Sequence, residues 1–461
     1  MRSASGRGVR FFPVDRPKSG EVMLLLHAVT RISVRIVQRY LPDPFLFAIL
    51  LTFVVFGFGW AVTSAGPLEM IRYWGDGFWG LLEFSMQMVL ILVTGHVLAQ
   101  APPVRRVLLL IAGSARTPAK AVMLTTFISA LASWISWGFG LVVGALVARE
   151  VARKVQGVDY RVLVAGAYAG FIVWHAGISG SIPLKIATDN SFGVTVPASE
   201  TIFASFSLIP ALILIFTFPL FMARLQPRRE ERVLVDPDAL EESRPLQLAA
   251  EEVAATPAQR LERSRWISMS VGGMGLVYIA TFFYRNGGQL DLNIVNFSFL
   301  IMGLMLHQTP RRYLSALAEA IREAGGIVIQ FPFYAGIMGM MSLSGLGKII
   351  SEWLIAFSNE TTFPLFAFLS AGLLNIFVPS GGGQWAVQGP IMLSAGQALG
   401  VDPARTAMAV AWGDAWTNLV QPFWALPLLA IARLNARDIM GFCLLALFYS
   451  GLVIGFSLMF L

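Results

Sequence analysis

Residues 375–390 read NIFVPSGGGQWAVQGP. The stretch follows an apolar run at 363–378 and leads toward another at 404–411. A proline and three consecutive glycines break a helix. Inside hydrocarbon each freed N–H or C=O costs on the order of several kcal/mol unless protein or ligand satisfies it. The segment is therefore either a loop outside a membrane or an unwound binding element within one. The rest of the chain decides which.

Composition sets the environment. Of 461 residues, 56% are hydrophobic and 13% charged, with a mean hydropathy of +0.68. Soluble domains carry about 25% charged residues, so this is an all-α polytopic membrane protein. A single cysteine, Cys443, excludes an internal disulfide and a cysteine-rich metal site. The net charge of +7 belongs to cytoplasmic loops that set topology, not to a nucleic-acid surface. Residues 1–20 are basic and lack the apolar core of a signal peptide. The membrane-active sequence begins near Met23, which reads as the start.

Loop charges order the spans. In residues 21–40, Leu24, Leu25, Ala28, Ile32 and Ile36 recur at near-helical spacing with Arg31, Arg35 and Arg39 between them. This predicts a helix on the cytoplasmic surface, and residues 1–40 form a cytoplasmic N-terminal basic segment. Spans are expected at 44–64 and 82–100. Arg105, Arg106 and Arg116 precede residues 119–148, with Lys120 at their start, and Arg149, Arg153 and Lys154 follow. Basic clusters on both sides make 119–148 a re-entrant hairpin with its tip at 136–140. The span at 162–184 is broken by Gly177, Gly180 and Pro183, and 201–223 crosses back. After the linker come spans at 266–284, 293–307 and 324–342. Residues 362–402 read as a second hairpin, entering from the opposite face with NIFVPSGGGQWAVQGP at its tip. The span at 404–432 is broken by Gly413, Pro422 and Pro427, and 439–461 is the last.

The halves repeat. Ser136 and Ser380, Gly138 and Gly382, Tyr168 and Trp412, and Pro183 and Pro427 all stand 244 residues apart. The expected domains are a first transmembrane repeat at 41–223, a charged cytoplasmic linker at 224–265, a connecting transmembrane helix at 266–292 and a second repeat at 293–461. The extra crossing inverts the second repeat. Inverted repeats with broken helices are the sequence signature of secondary transporters. Their tips meet near the midplane, where helix N-termini favour an anion.

The polar groups on tips and breaks limit the chemistry. Ser136, Trp137, Gly138, Ser380, Gly381, Gly382, Gly383, Gln384, Asn418 and Gln421 are the candidate substrate contacts. Neither tip carries Lys or Arg, which suits one carboxylate better than two. Trp137, Phe139, Trp385, Trp412 and Trp424 can wall a short apolar tail, or serve only in packing and the interfacial belt. Asp414, an acid within an apolar segment, is the candidate for ion coupling by H⁺ or Na⁺. Its bland alternative is a solvated place near the outer interface. His175 reads as a satisfied structural histidine rather than a proton sensor. Four scattered histidines and one cysteine supply no catalytic or metal cluster, so neither an enzyme nor a cofactor is expected. A channel is the other alternative.

Several blocks carry a resemblance: RYLPDPFLFAILLTF from Arg39, YWGDGFW from Tyr73, MQMVLILVTGHVLA from Met86, WGFGLVVGALVAREVAR from Trp137, QFPFYAGI from Gln330, FVPSGGGQWAVQGP from Phe377 and QPFWALPLLAIA from Gln421. The chain resembles the short-chain fatty acid transporter family of the ion transporter superfamily from about Met23 onward. WHAGISGS at Trp174 departs from a more Gly-rich family pattern at His175. The resemblance implies uptake of short-chain monocarboxylates such as acetoacetate or butyrate across a bacterial inner membrane. By superfamily likeness it also implies an elevator-type carrier, often a homodimer. A dicarboxylate carrier or ion exchanger of the same superfamily is the nearest alternative.

Overall fold

Helices account for the regular structure, with no strand among the residues that the computed structural model describes: 21–40, 42–188, 193–235, 256–287, 292–379 and 381–461. The expected basic segment before residue 21, residues 236–255 of the linker, and Ser380 lie outside the described residues.

The surface helix α1 (Glu21–Tyr40) leaves Ile32 and Ile36 exposed and buries Ser33, whose hydroxyl donates to the Gly441 carbonyl at 2.7 Å. Next, α2 (Pro44–Val62) starts on the Asp43 carboxylate, which accepts the Phe45 N–H, with Pro44 in the first helical position. Then follow α3 (Pro67–Gly77), α4 (Leu82–Gln100), α5 (Pro102–Gly113), α6 (Pro118–Ile135) and α7 (Trp137–Lys154). Only Ser136 separates α6 from α7, and the pair folds back as a helical hairpin. The broken span is α8 (Tyr160–Ala169), a 3₁₀ turn at Gly170–Ala176, and α9 (Ser181–Thr188). The short α10 (Ala198–Thr201) precedes α11 (Ser205–Arg224).

The second half holds α12 (Pro257–Glu262), α13 (Arg265–Arg285), α14 (Leu292–His307), α15 (Pro310–Ala320), α16 (Gly325–Leu343) and α17 (Leu346–Ile355). The second hairpin is α18 (Phe363–Asn375) and α19 (Gly381–Ala398). Then come α20 (Pro403–Asn418) and α21 (Pro422–Ala432), the expected second broken span, and α22 (Ala436–Phe460). Helices α3 to α8 have successors α15 to α20 that begin 243 to 245 residues later. Element order and spacing therefore recur along with the matched residues.

Among the described residues, six helices are long and apolar enough to cross a membrane, or up to eight if two bent pairs count as single spans. The bent pairs were not legible. Helices α16 and α17 meet at 69°, where Gly345 takes a left-handed conformation with φ of 77° that L side chains avoid. Helices α5 and α15 occupy stretches expected only as basic loops. Their arginines, expected as loop charges, mask an amphipathic period, so helices form where only charge was expected.

Candidate functional site

Each hairpin tip packs on the broken span of the other half. The 3₁₀ turn and α9 pack on α20, α9 also on α19, and α21 packs on α7. Small residues make this close approach possible. A methyl group at Gly381 would stand 2.5 Å from His175 Nε2. At Gly177 or Gly413 it would collide with the carbonyl oxygen of Trp134 or Phe368. Broken span and hairpin are thus wedged backbone to backbone within each half, and side chain to tip between halves.

The first tip is apolar. Ser136 is buried, and the Trp137 N–H donates to Ser179 Oγ at 2.9 Å. The Trp137 ring meets Trp424 edge-on at 5.2 Å and Trp174 at 6.1 Å, with Phe171 stacked on Trp174 at 5.5 Å. Gly138 lies against Ile91 of α4. Phe139, expected to share this wall, faces away and packs on Phe299 of α14.

The second tip is polar. Asn375, the last residue of α18, donates to the Asp414 carbonyl at 2.9 Å, Thr417 Oγ1 at 3.0 Å and Asn418 Oδ1 at 2.6 Å. Gln384 donates to the Ala371 carbonyl at 2.8 Å and to Gln388 Oε1 at 3.0 Å. Asn418 and Gln384 are therefore held within their own half. Gln421 caps α21, its Oε1 accepting the Phe423 N–H at 2.6 Å. The Tyr168 hydroxyl, from the first half, donates to the carbonyl of Asn418 at 2.5 Å and reaches that of Gln421 at 3.4 Å. The break in the second half is thus satisfied by the first. Gly381 abuts Trp174 and His175, whereas a methyl at Gly382 would meet nothing within 4 Å. Gly383 is partly buried in the first turn of α19.

Asp414 is fully buried, not solvated at an interface. Its Oδ1 lies 3.5 Å from His175 Nδ1, which also faces the Ala411 carbonyl at 2.8 Å. His175 is equally buried, and its ring lies 3.5 Å from that of Trp174. Asp414 Oδ2, His175 Nε2, Trp174 Nε1 and Trp412 Nε1 have no hydrogen-bond partner among the described residues. An unpaired buried polar group costs about 1–3 kcal/mol, so these atoms make the region a candidate for binding water, an ion or a ligand. The Trp385 and Trp412 rings are buried. Among the described residues, no group of three or more His, Cys, Asp or Glu could hold a metal.

Three residues escaped the sequence reading as site members. Tyr168 and Asn375 carry no local signal beyond being polar in an apolar run. His175 was legible only as a lone histidine.

A family model described as short chain fatty acid transporter matches residues 25–461. A curated Escherichia coli protein with the provisional name short-chain fatty acid transporter is 46% identical over 440 residues, covering 94% of this chain and all of its own length. A Haemophilus influenzae protein with the same provisional name is 43% identical over 449 residues, covering 95% of this chain and all of its own. Among solved structures, the Alcanivorax borkumensis YdaH transporter aligns over 90% of this chain and 98% of its own, at 16% identity and a TM-score of 0.42.

Proposed function

The chain belongs to the short chain fatty acid transporter family, and on that premise we propose that it takes up short-chain monocarboxylates, such as acetoacetate or butyrate, by ion-coupled secondary active transport across a bacterial inner membrane. The family match over residues 25–461 carries this reading. The geometry fits a single carboxylate: the first turn of α19 supplies backbone N–H groups and the positive end of a helix dipole. The open space beside Gly382 admits a ligand, and the aromatic group of Trp137, Trp174 and Trp424 suits a short apolar tail. Ser380 and Gln384 belong to the same tip. Asp414 belongs to the coupling site, buried within reach of His175.

In this reading the two halves are inverted repeats. The hairpins are re-entrant, and hairpins and broken spans move together as the transport body of an elevator-type homodimer. The recurrence of helix starts supports the repeat. Full burial of His175, Asp414, Gln384 and Asn418 fits a closed stage of alternating access.

The test is uptake of labelled butyrate and acetoacetate into proteoliposomes under an imposed proton gradient or an imposed sodium gradient. Uptake above that of protein-free vesicles under either gradient is expected, and Asp414→Asn should cut it at least tenfold (about 1.4 kcal/mol). Absence of protein-dependent uptake under both gradients would exclude monocarboxylates as substrate.

A further inference from the structure

His175 has one nitrogen committed and one free. A backbone carbonyl only accepts, so the bond to Ala411 O at 2.8 Å requires the proton on Nδ1. In the neutral ring Nε2 is then a bare lone pair. It is fully buried, has no partner among the described residues, and is aimed at Gly381, the first residue of α19. A helix N-terminus with a bare acceptor beside it presents two opposite demands. The helix end favours an anion, whereas the lone pair repels a carboxylate oxygen. One added proton removes the conflict. It sits either on the acid, which then donates to Nε2, or on Nε2, which then donates to the carboxylate.

We propose that His175 Nε2 shares the co-transported proton with the substrate carboxyl group held at the start of α19. This rests on the monocarboxylate reading above and assigns the coupling ion within it. Each carboxylate then crosses with one proton, and the pair carries no net charge. Asp414 acts through His175 as a positioning residue, its Oδ1 lying 3.5 Å from the Nδ1 edge of the ring.

No other ionisable group bonds to the imidazole among the described residues. Of the elements packed on the 3₁₀ turn, α20 contributes Asp414, with Arg405 near its far end. Helix α6 carries Lys120, α7 carries Arg149, Glu150, Arg153 and Lys154, and α8 carries Tyr160, Arg161 and Tyr168. Helix α9 carries Lys185, α11 carries Arg224, and α19 carries no charge. Lys120 stands at the start of α6 and the α7 charges in its last turns, each helix having its other end at the Ser136 tip. The Tyr168 hydroxyl is committed to the break in the second half.

The experiment uses proteoliposomes with an internal pH dye and labelled butyrate, after subtraction of protein-free vesicles, through which undissociated acid permeates. Wild type should move about one proton per butyrate, a ratio unchanged when the membrane potential is clamped. His175→Gln keeps an amide donor but cannot take a proton. In detergent it should bind butyrate without the proton uptake that accompanies binding to wild type. Gly381→Ala, whose methyl would press on Nε2, should lower proton-coupled uptake in the same way, so a misfolded His175→Gln leaves the proposal testable. Retention of the wild-type proton ratio in His175→Gln overturns the proposal and leaves the monocarboxylate reading intact. So does loss of butyrate binding by the folded variant, since glutamine can still donate. Wild-type vesicles that take up no monocarboxylate at all would end both.

Discussion

Tyr168 shows how one side chain from the first half stabilises a break in the second. Helix α20 ends at Asn418 and Pro422 has no N–H to return to the Asn418 carbonyl, which keeps the Gln421 N–H at 3.3 Å and stands beside the Gln421 carbonyl that opens α21. The Tyr168 hydroxyl is placed to donate to both. Tyr168→Phe keeps the ring stacked near Phe171 and removes only that donor. Loss of one buried hydrogen bond costs about 0.5–1.5 kcal/mol, so the unfolding temperature in detergent should drop measurably and butyrate uptake should fall with it. An unchanged unfolding temperature would mean that other groups satisfy those carbonyls. At the same scale Asp159 fixes the start of α8. Its buried carboxylate accepts the N–H groups of Arg161, Val162 and Val233 and pairs with the Arg161 guanidinium at 2.7 Å.

Between elements, glycine decides which surfaces touch. Two glycines of the second half make opposite predictions because their surroundings differ. At Gly413 a methyl group would collide with the Phe368 carbonyl and crowd Ala371, separating α20 from α18. Backbone cannot yield cheaply there, and overpacking costs about 1–3 kcal/mol or more. Gly413→Ala should therefore yield less folded protein and a lower unfolding temperature. At Gly382 a methyl meets nothing within 4 Å, and Gly→Ala in a helical turn restricts the unfolded chain. Gly382→Ala should keep or raise the unfolding temperature while raising the KM for butyrate, because the methyl enters space proposed for ligand. Size-exclusion profiles, thermal unfolding and initial uptake rates distinguish the two. A Gly382→Ala variant with wild-type KM would remove that space from the substrate site.

Across the whole molecule, α1 docks on α22 and reaches the segment after α11 through the Arg31–Glu231 pair at 2.7 Å. His27 lies among Arg228, Arg31, Arg232 and Glu231. Burial first, then the positive charge of Arg228, holds its pKa below 6.5, against an opposing pull from Glu231. A histidine with a depressed folded pKa binds protons more readily when released. Docking is therefore favoured above pH 6.5 and loses stability as the pH falls through 6.5 toward the folded value. Hydrogen exchange of α1 should accelerate as the pH drops from about 7.5 to about 5.5, and the change should vanish in His27→Gln. Equal protection at both pH values would show that α1 docking does not depend on His27.

The membrane environment, the all-helical class and the helix breaks at Ser136, Gly177 and Pro422 were all written in local chemistry. Hydropathy acts residue by residue, and Gly and Pro break helices wherever they stand. The 244-residue offset of Ser136 and Ser380 made the recurrence of elements readable as well. The partners of those breaks were not readable. Tyr168 with Asn418, His175 with Asp414 and Gly381 with His175 join residues more than two hundred positions apart, and no local pattern encodes such a pairing. Sequence assigned Asn418 and Gln384 to a ligand because polar groups in an apolar run need partners. Packing of α18 against α20, and the turn of α19 back on α18, supplied partners from within the protein for Asn418 Oδ1 and Gln384 Nε2, while Gln384 Oε1 has none among the described residues. Folding gave His175 the opposite outcome: one nitrogen is satisfied by Ala411, and the other is left facing the first residue of α19. Which buried polar group is satisfied and which is left for a ligand depends on distances across the fold, so only the tertiary structure could decide it.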